Sequence, residues 1–259
     1  MSSVNDTLLS NRESGKGSLV GYYPAGYPTV KDSVDALVAM AENGCDVLEI
    51  GVPYSDPVMD GLVIQVATEE ARAAGFVLAD LFEVIRQVRA KVSTPLLVMS
   101  YWNPVLRYGV EKFAEDMRAS GAQGMITPDL VPDEAAQWLE ISQAKGLDRV
   151  FLVAPSSSNE RVTANADASQ GFVYSVSTMG ITGERATLDA LARQLVGRVK
   201  SLSATPTCVG VGISTAEQVR EVNGYADGAI VGTAFVKAYR DHGLSGLVAK
   251  TKELAAGLG

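Results

Sequence analysis

Beginning near Ser18, the chain alternates short apolar runs with amphipathic stretches eight times: SLVGYY, DVLEIG, PLLVMSY, QGMITP, RVFLVAP, GFVYSVS, TCVGVG and DGAIVG are the apolar runs. Runs this continuously apolar suit strands buried on both faces, as in a parallel sheet covered by helices. The spacing of apolar positions predicts helices over 30–42, 78–92, 110–120, 133–144, 160–168, 188–202 and 216–222, with a last one over 244–258. Every strand therefore has its own crossover, and no long polar or proline-rich linker interrupts the series. A doubly wound open sheet would usually carry a GxGxxG turn after its first strand, and GYYPAGYP is not one. The expected architecture is α/β, a single (β/α)8 TIM barrel over residues 1–259, with residues 1–17 as a polar N-terminal segment and a short extra helix after strand 8.

Composition narrows the function classes. A formal charge of -8 leaves no broad basic face for nucleic acid, although one positive spot for a phosphorylated metabolite is compatible with it. Two cysteines, Cys45 and Cys208, sit among apolar residues and are too few for a metal quartet, so they are expected as buried thiols in a reducing compartment. Residues 1–17 lack the apolar core of a signal peptide, and no stretch of about 18 apolar residues free of charge follows. A cytoplasmic protein with no membrane contact is expected.

In a barrel of this kind the active site is built at the carboxyl ends of the strands. Glu49 stands between Leu48 and Ile50 in the second run, where an unpaired ionised carboxylate is costly and tends to keep its proton. The structural alternative is an ion pair inside the barrel. However, no recognised strand carries a lysine, and Arg149 stands at the amino-terminal end of strand 5. Asp60 ends the loop VPYSDPVMDG, where it either shapes the Asp-Gly turn or faces the substrate. Tyr174 lies in strand 6 and Gly180-Ile181-Thr182-Gly183 in the loop after it. Gly210-Val211-Gly212 after strand 7 and Gly232-Thr233 after strand 8 let backbone N–H groups approach an anion, and the helical run through 235–239 adds the partial positive charge of a helix start.

The missing residue types restrict the chemistry as well. Strand 6 has no lysine for a Schiff base, and the single histidine, His242, lies in an exposed-looking Asp-His-Gly turn. No metal-ligand spacing, nucleophile elbow or nucleotide loop is present, which leaves carboxylate acid–base catalysis on a phosphorylated substrate.

The segments LEIGVPYSDPVMDG, YSVSTMGITG, VGVGIS and GAIVGTA, in this order, resemble the alpha subunit of tryptophan synthase from about Ser18 to the carboxyl terminus. The resemblance implies retro-aldol cleavage of indole-3-glycerol phosphate to indole and glyceraldehyde 3-phosphate. It assigns proton transfer at indole C3 and at the side-chain hydroxyl to Glu49, and acceptance of the indole N–H to Asp60. Tyr174 would support the site, Tyr22, Tyr101 and Thr127 would border the indole, and Gly183, Gly210, Gly212, Gly232 and Thr233 would hold the phosphate. The family passes indole to a beta subunit in an αββα complex. The cofactor it implies, pyridoxal phosphate, belongs to that partner, and none is implied in this chain.

Loops 52–61 and 177–187 would then be lids that sense the partner, with Thr182 meeting Asp60 on closure. Segments 101–108 and 128–132 are docking surface or ordinary loop packing. Leu62, the pair Thr178 and Met179, and Tyr27 depart from the common pattern and bear on lid stability and partner coupling. A stand-alone indole-3-glycerol phosphate lyase would share all the catalytic residues. A non-catalytic activating subunit is opposed by the presence of both carboxylates, and another barrel enzyme acting on a phosphorylated sugar is the more distant reading.

Overall fold

The computed structural model describes residues 3–176 and 185–259. Its first half runs α1 (Val4–Glu13), β1 (Leu19–Pro24), α2 (Val30–Glu42), β2 (Val47–Gly51), α3 (Leu62–Ala73), α4 (Leu78–Arg89), β3 (Leu96–Met99), α5 (Trp102–Tyr108), α6 (Val110–Ser120) and β4 (Gly124–Ile126). After a 3-10 turn at Pro132–Glu134 follow α7 (Ala136–Lys145), β5 (Asp148–Val150), β6 (Leu152–Val153), α8 (Asn159–Ala168), β7 (Val173–Val176), α9 (Arg185–Leu202), β8 (Thr207–Gly210), α10 (Ala216–Asn223), β9 (Gly228–Val231) and α11 (Thr233–Ala255).

All strand pairs are parallel, in the order β5-β4-β3-β2-β1-β9-β8-β7-β6. The two ends of that order, β5 and β6, are consecutive in the chain and separated by Phe151 alone, so the sheet closes through the expected fifth strand. The split has its cause in residues farther along the chain. Arg149 bridges antiparallel to Gln170, and the N–H of Phe151 donates to Ser169 Oγ at 3.2 Å instead of to a strand. The eight apolar runs thus form the expected closed parallel barrel with helices outside it.

Strand alternation divides the core in two. Outward residues such as Leu48, Ile50, Leu96 and Val98 pack with Leu37, Val84, Phe113 and Trp138 of the helices. Inward residues Val20, Val47, Leu97, Ile126, Val150, Phe172, Cys208 and Ile230 form a second cluster inside the barrel. Both cysteines are buried and free.

The structure adds elements that the sequence pattern does not announce. Residues 4–13 form α1, started by a capping box between Ser3 and Asp6, and its only buried residues, Val4 and Leu8, join the inner cluster. Three apolar residues in a polar helix, two of them adjacent, make too weak a period to read, yet the two buried ones close the barrel floor. The apolar stretch after Gly61 becomes α3, whose start has no side-chain cap. The short α5 begins where both Asp129 oxygens accept the Trp102 N–H, at 2.9 and 3.1 Å, a cap reached from 27 residues away. The expected helix over 133–144 is instead the 3-10 turn followed by α7. Gly243, at φ 63°, kinks α11, so residues 233–242 form the expected short helix after the last strand and the final helix follows.

Leu8→Ala empties a fully buried site under the barrel. It should lower the free energy of unfolding by about 2–5 kcal/mol, measured by urea denaturation, which tests whether α1 is part of the core.

Candidate active site

The carboxyl ends of the strands surround a cavity of about 230 Å³. Glu49, Asp60, Tyr22, Tyr174, Gly210, Gly212, Gly232 and Thr233 all line it, so most of the expected residues converge at one mouth. Thr182 and Gly183, with Thr178 and Met179, lie outside the described residues.

The convergence follows from strand periodicity. Side chains two apart on a strand share a face, and the wall of the cavity lies two residues beyond the inner cluster. Val20 leads to Tyr22, Val47 to Glu49, Leu97 to Met99, Val150 to Leu152, Phe172 to Tyr174 and Cys208 to Gly210. In register, Tyr22 pairs with Glu49 across β1 and β2, and Glu49 with Leu97 across β2 and β3.

Glu49 is 2% exposed, and its Oε1 has no hydrogen-bond partner among the described residues. Burial alone pushes its carboxyl from the ordinary 4.5 to about 8, so it holds a proton at neutral pH. Asp60, half-buried at the end of the 52–61 loop, is raised by burial to about 6 and is mostly ionised at the same pH. The wall therefore presents a proton donor and an anion together. No lysine, arginine or histidine is among the described wall residues, so nothing there neutralises either one.

Tyr174 is half-buried on the same wall, and its desolvation, then Glu49 and then Asp60, hold the phenol proton. Its hydroxyl lies only 2.7 Å from where a Cβ on Gly210 would stand. Gly210 therefore makes room for Tyr174 while also lining the cavity at the end where Gly212 and Gly232 stand. At that end Gly232 starts α11 with no side-chain cap, which leaves first-turn N–H groups of the helix for a ligand.

Two expected residues are not on the described wall. Tyr101 stands behind the 52–61 loop: its Oη accepts the Met59 N–H at 2.8 Å, and its ring lies 5.3 Å from that of Tyr54. It anchors the loop that carries Asp60, instead of bordering the cavity. Thr127 is buried between the wall residues Ile126 and Pro128. Its position one residue past the inward-facing Ile126 turns it away from the cavity, the usual alternation of a strand.

The wall residues not anticipated include Ile64, Met99, Ile126, Leu152, Ile213 and Ile230, which supply its apolar character. For Met99 and Leu152, the two-residue step beyond an inward position is a signal already present in the sequence, and Ile126 and Ile230 are inward positions themselves. Ile64 has no such signal, because it arrives on α3.

His242 is exposed, as expected, although it ends the short helix 233–242 instead of lying in a turn, and it lines a separate groove with Lys237 and Lys250. No described helix is long and apolar enough to cross a membrane. Among the described residues no group of His, Cys, Asp and Glu could hold a metal ion.

Comparison with known proteins gives this geometry its context. The family model of the tryptophan synthase alpha chain matches residues 8–256. An alpha chain from Leifsonia xyli subsp. xyli is 55% identical over 257 residues, covering 99% of this chain and 98% of its own. One from Mycobacterium intracellulare is 51% identical over 247 residues, covering 95% and 91%. Among solved structures, a chain of the aminoacrylate-bound tryptophan synthase of M. tuberculosis superposes with a TM-score of 0.92 at 47% identity, covering 100% of both chains. A chain of the tryptophan synthase complex of Pyrococcus furiosus does so with a TM-score of 0.84 at 34% identity, covering 92% of this chain and 98% of its own. The chain belongs to the family of tryptophan synthase alpha chains, carbon–carbon lyases that cleave indole-3-glycerol phosphate.

Proposed function

We propose that the family's reaction is carried in this chain by Glu49 and Asp60, on a substrate anchored by its phosphate at the Gly212, Gly232 and Thr233 end of the cavity. The observation that carries this reading is the buried Glu49, whose carboxyl keeps its proton up to about pH 8 with no cation among the described wall residues. Neutral Glu49 donates that proton to indole C3, and the electron pair of the C2–C3 double bond takes it up, which leaves positive charge on the ring nitrogen. The Asp60 carboxylate accepts the ring N–H and stabilises that charge. The Glu49 carboxylate then takes the proton of the side-chain hydroxyl. The oxygen's electrons form the aldehyde, the bond to C3 breaks, and its pair restores the indole. Glu49 ends protonated, ready for the next turnover.

The phosphate end is built from backbone. The first turn of α11 and the Gly212 turn offer N–H groups, an arrangement suited to a dianion in a protein of net charge -8. Thr182 and Gly183, in the loop outside the described residues, would complete the site.

Around the mouth, Val58 is 78% exposed and Leu62 79%, with Val66, Leu106 and Val131 exposed beside them. A rim this apolar suits a partner surface. The partner in this reading is the beta subunit of an αββα tetramer, whose pyridoxal phosphate would consume the indole. Segments 101–108 and 128–132 contribute Leu106 and Val131 to that rim.

Three outcomes follow. Indole release from indole-3-glycerol phosphate should show a bell-shaped kcat/KM profile, with its limbs near Asp60 ionisation at about 6 and Glu49 ionisation at about 8. Glu49→Gln should cut the rate by about 10²–10⁴-fold with partner binding intact, as expected for loss of a general acid–base group. Wild-type turnover in that variant would sink the assignment, and equal wild-type rates with and without beta subunit would favour a stand-alone lyase.

The third outcome concerns stability. Because the folded protein holds the Glu49 proton from its ordinary 4.5 up to about 8 while the unfolded chain releases it, stability falls as pH rises through that window. Glu49→Gln should therefore raise the urea midpoint more at pH 8 than at pH 5, a shift readable without any activity assay.

A further inference from the structure

The stretch DPVMDGLVIQ ends on a glutamine that takes no part in the proton transfers. Gln65 stands one turn into α3, four residues after Gly61, and a helical side chain leans back toward the start of its helix. Its amide therefore reaches the loop that precedes α3. Nε2 donates to the carbonyl oxygen of Asp60 at 2.7 Å and, more weakly, to that of Pro57 at 3.4 Å. Both are acceptors that only the NH2 end of the amide can serve, so the loop itself sets the orientation of the side chain.

Those two carbonyls are the ends of one turn. The Asp60 N–H donates to the Pro57 carbonyl at 3.0 Å, and Gln65 bridges the closed turn across its ends. From the other side the Tyr101 hydroxyl accepts the Met59 N–H at 2.8 Å. Packing offers this turn little else: Val58 at its tip is 78% exposed, and Gly61 after it starts α3 with no side-chain cap. Ile64 lines the cavity and Gln65 does not, so any effect of Gln65 on the reaction passes through the turn.

We propose that Gln65 is a positioning residue, whose amide clamps the Pro57–Asp60 turn and so holds the Asp60 carboxylate at the cavity. This role rests on Asp60 being the acceptor of the indole N–H. Once the clamp is lost, Asp60 stands on a loop beside a glycine and turns toward solvent. The polar and titratable groups around it are Tyr22 of β1, Glu49 of β2, Tyr101 after β3, Tyr174 of β7 and Thr233 of α11, with Asp56 in its own loop and no cation among the described wall residues. Burial is what raises its carboxyl, so exposure lowers it again.

Gln65→Met keeps the length of the side chain and removes its donors. In the full chain alone, the amides of residues 58–60, all bonded in the wild type, should exchange their hydrogens about tenfold faster, while β2 and the rest of α3 keep their protection. In complex with the beta subunit, kcat/KM for indole release should fall about 10–100-fold, as expected for a displaced catalytic group. The acidic limb of its pH profile should move down from about 6 toward the ordinary 3.8, while the limb set by Glu49 near 8 stays in place. Gln65→Asn, whose amide is one methylene too short to bridge the turn, should repeat both effects. Unchanged exchange at residues 58–60 overturns the clamp, and faster exchange throughout the barrel overturns it too, because Gln65 then holds the fold and not the turn. Faster exchange confined to the turn with an unmoved acidic limb overturns the positioning of Asp60. A wild type that releases no indole overturns the functional reading and the positioning role with it, while exchange still decides the clamp.

Discussion

The proposed chemistry depends on keeping water and counter-charge away from one carboxyl. Glu49 is a strand residue, paired in register on both sides, with no freedom to turn outward to solvent. Below it the inner cluster fills the barrel, and Val4 and Leu8 of α1 close the floor. The walls around it are isoleucine, leucine and methionine, and the described ones offer no cation. Burial then does what a specific partner does elsewhere: it raises the carboxyl to about 8 and turns an ordinary acid into a proton donor at neutral pH.

Two carboxylates become different reagents because they are held differently. Asp60 arrives on a loop, its backbone oxygen accepting from Gln65 at 2.7 Å and the neighbouring Met59 N–H donating to Tyr101. It is less deeply buried and sits near 6, ionised where Glu49 is neutral. The separation of the two values gives a pH window in which a donor and an anion coexist. The phenols of Tyr22 and Tyr174 stand among them, each accommodated by a glycine at a strand end. In the proposed reading the phosphate meets backbone N–H groups, and no described wall residue offers a cation to it.

Much of this is readable in the chain because the barrel makes each strand a regular ruler. Eight apolar runs with crossovers specify a closed parallel sheet, and closure puts Glu49, Tyr174 and the glycine turns at one end. Helices 30–42 and 110–120 match α2 and α6 residue for residue, since their apolar period and ends are local properties. What could not be read depends on distant partners. The start of α5 is capped by Asp129, α1 is held by two residues inserted in the barrel, and the split of the fifth strand reflects Ser169 and Gln170. Tyr101 and Thr127 stand at strand ends as expected, but one holds a loop and the other points away from the cavity, a matter of side-chain direction.

The sequence by itself determined the fold class and put Glu49 at a strand end, because strand period and residue chemistry are local and survive in the linear order; Asp60 it left between turn and site, and the resemblance to the family chose the site. Only the tertiary structure decided how far burial raises Glu49 above Asp60, and that Gly51 and Gly210 are hollows for tyrosine hydroxyls. Those properties come from desolvation and from contacts between strands that are far apart in sequence, and both exist only once the barrel has closed.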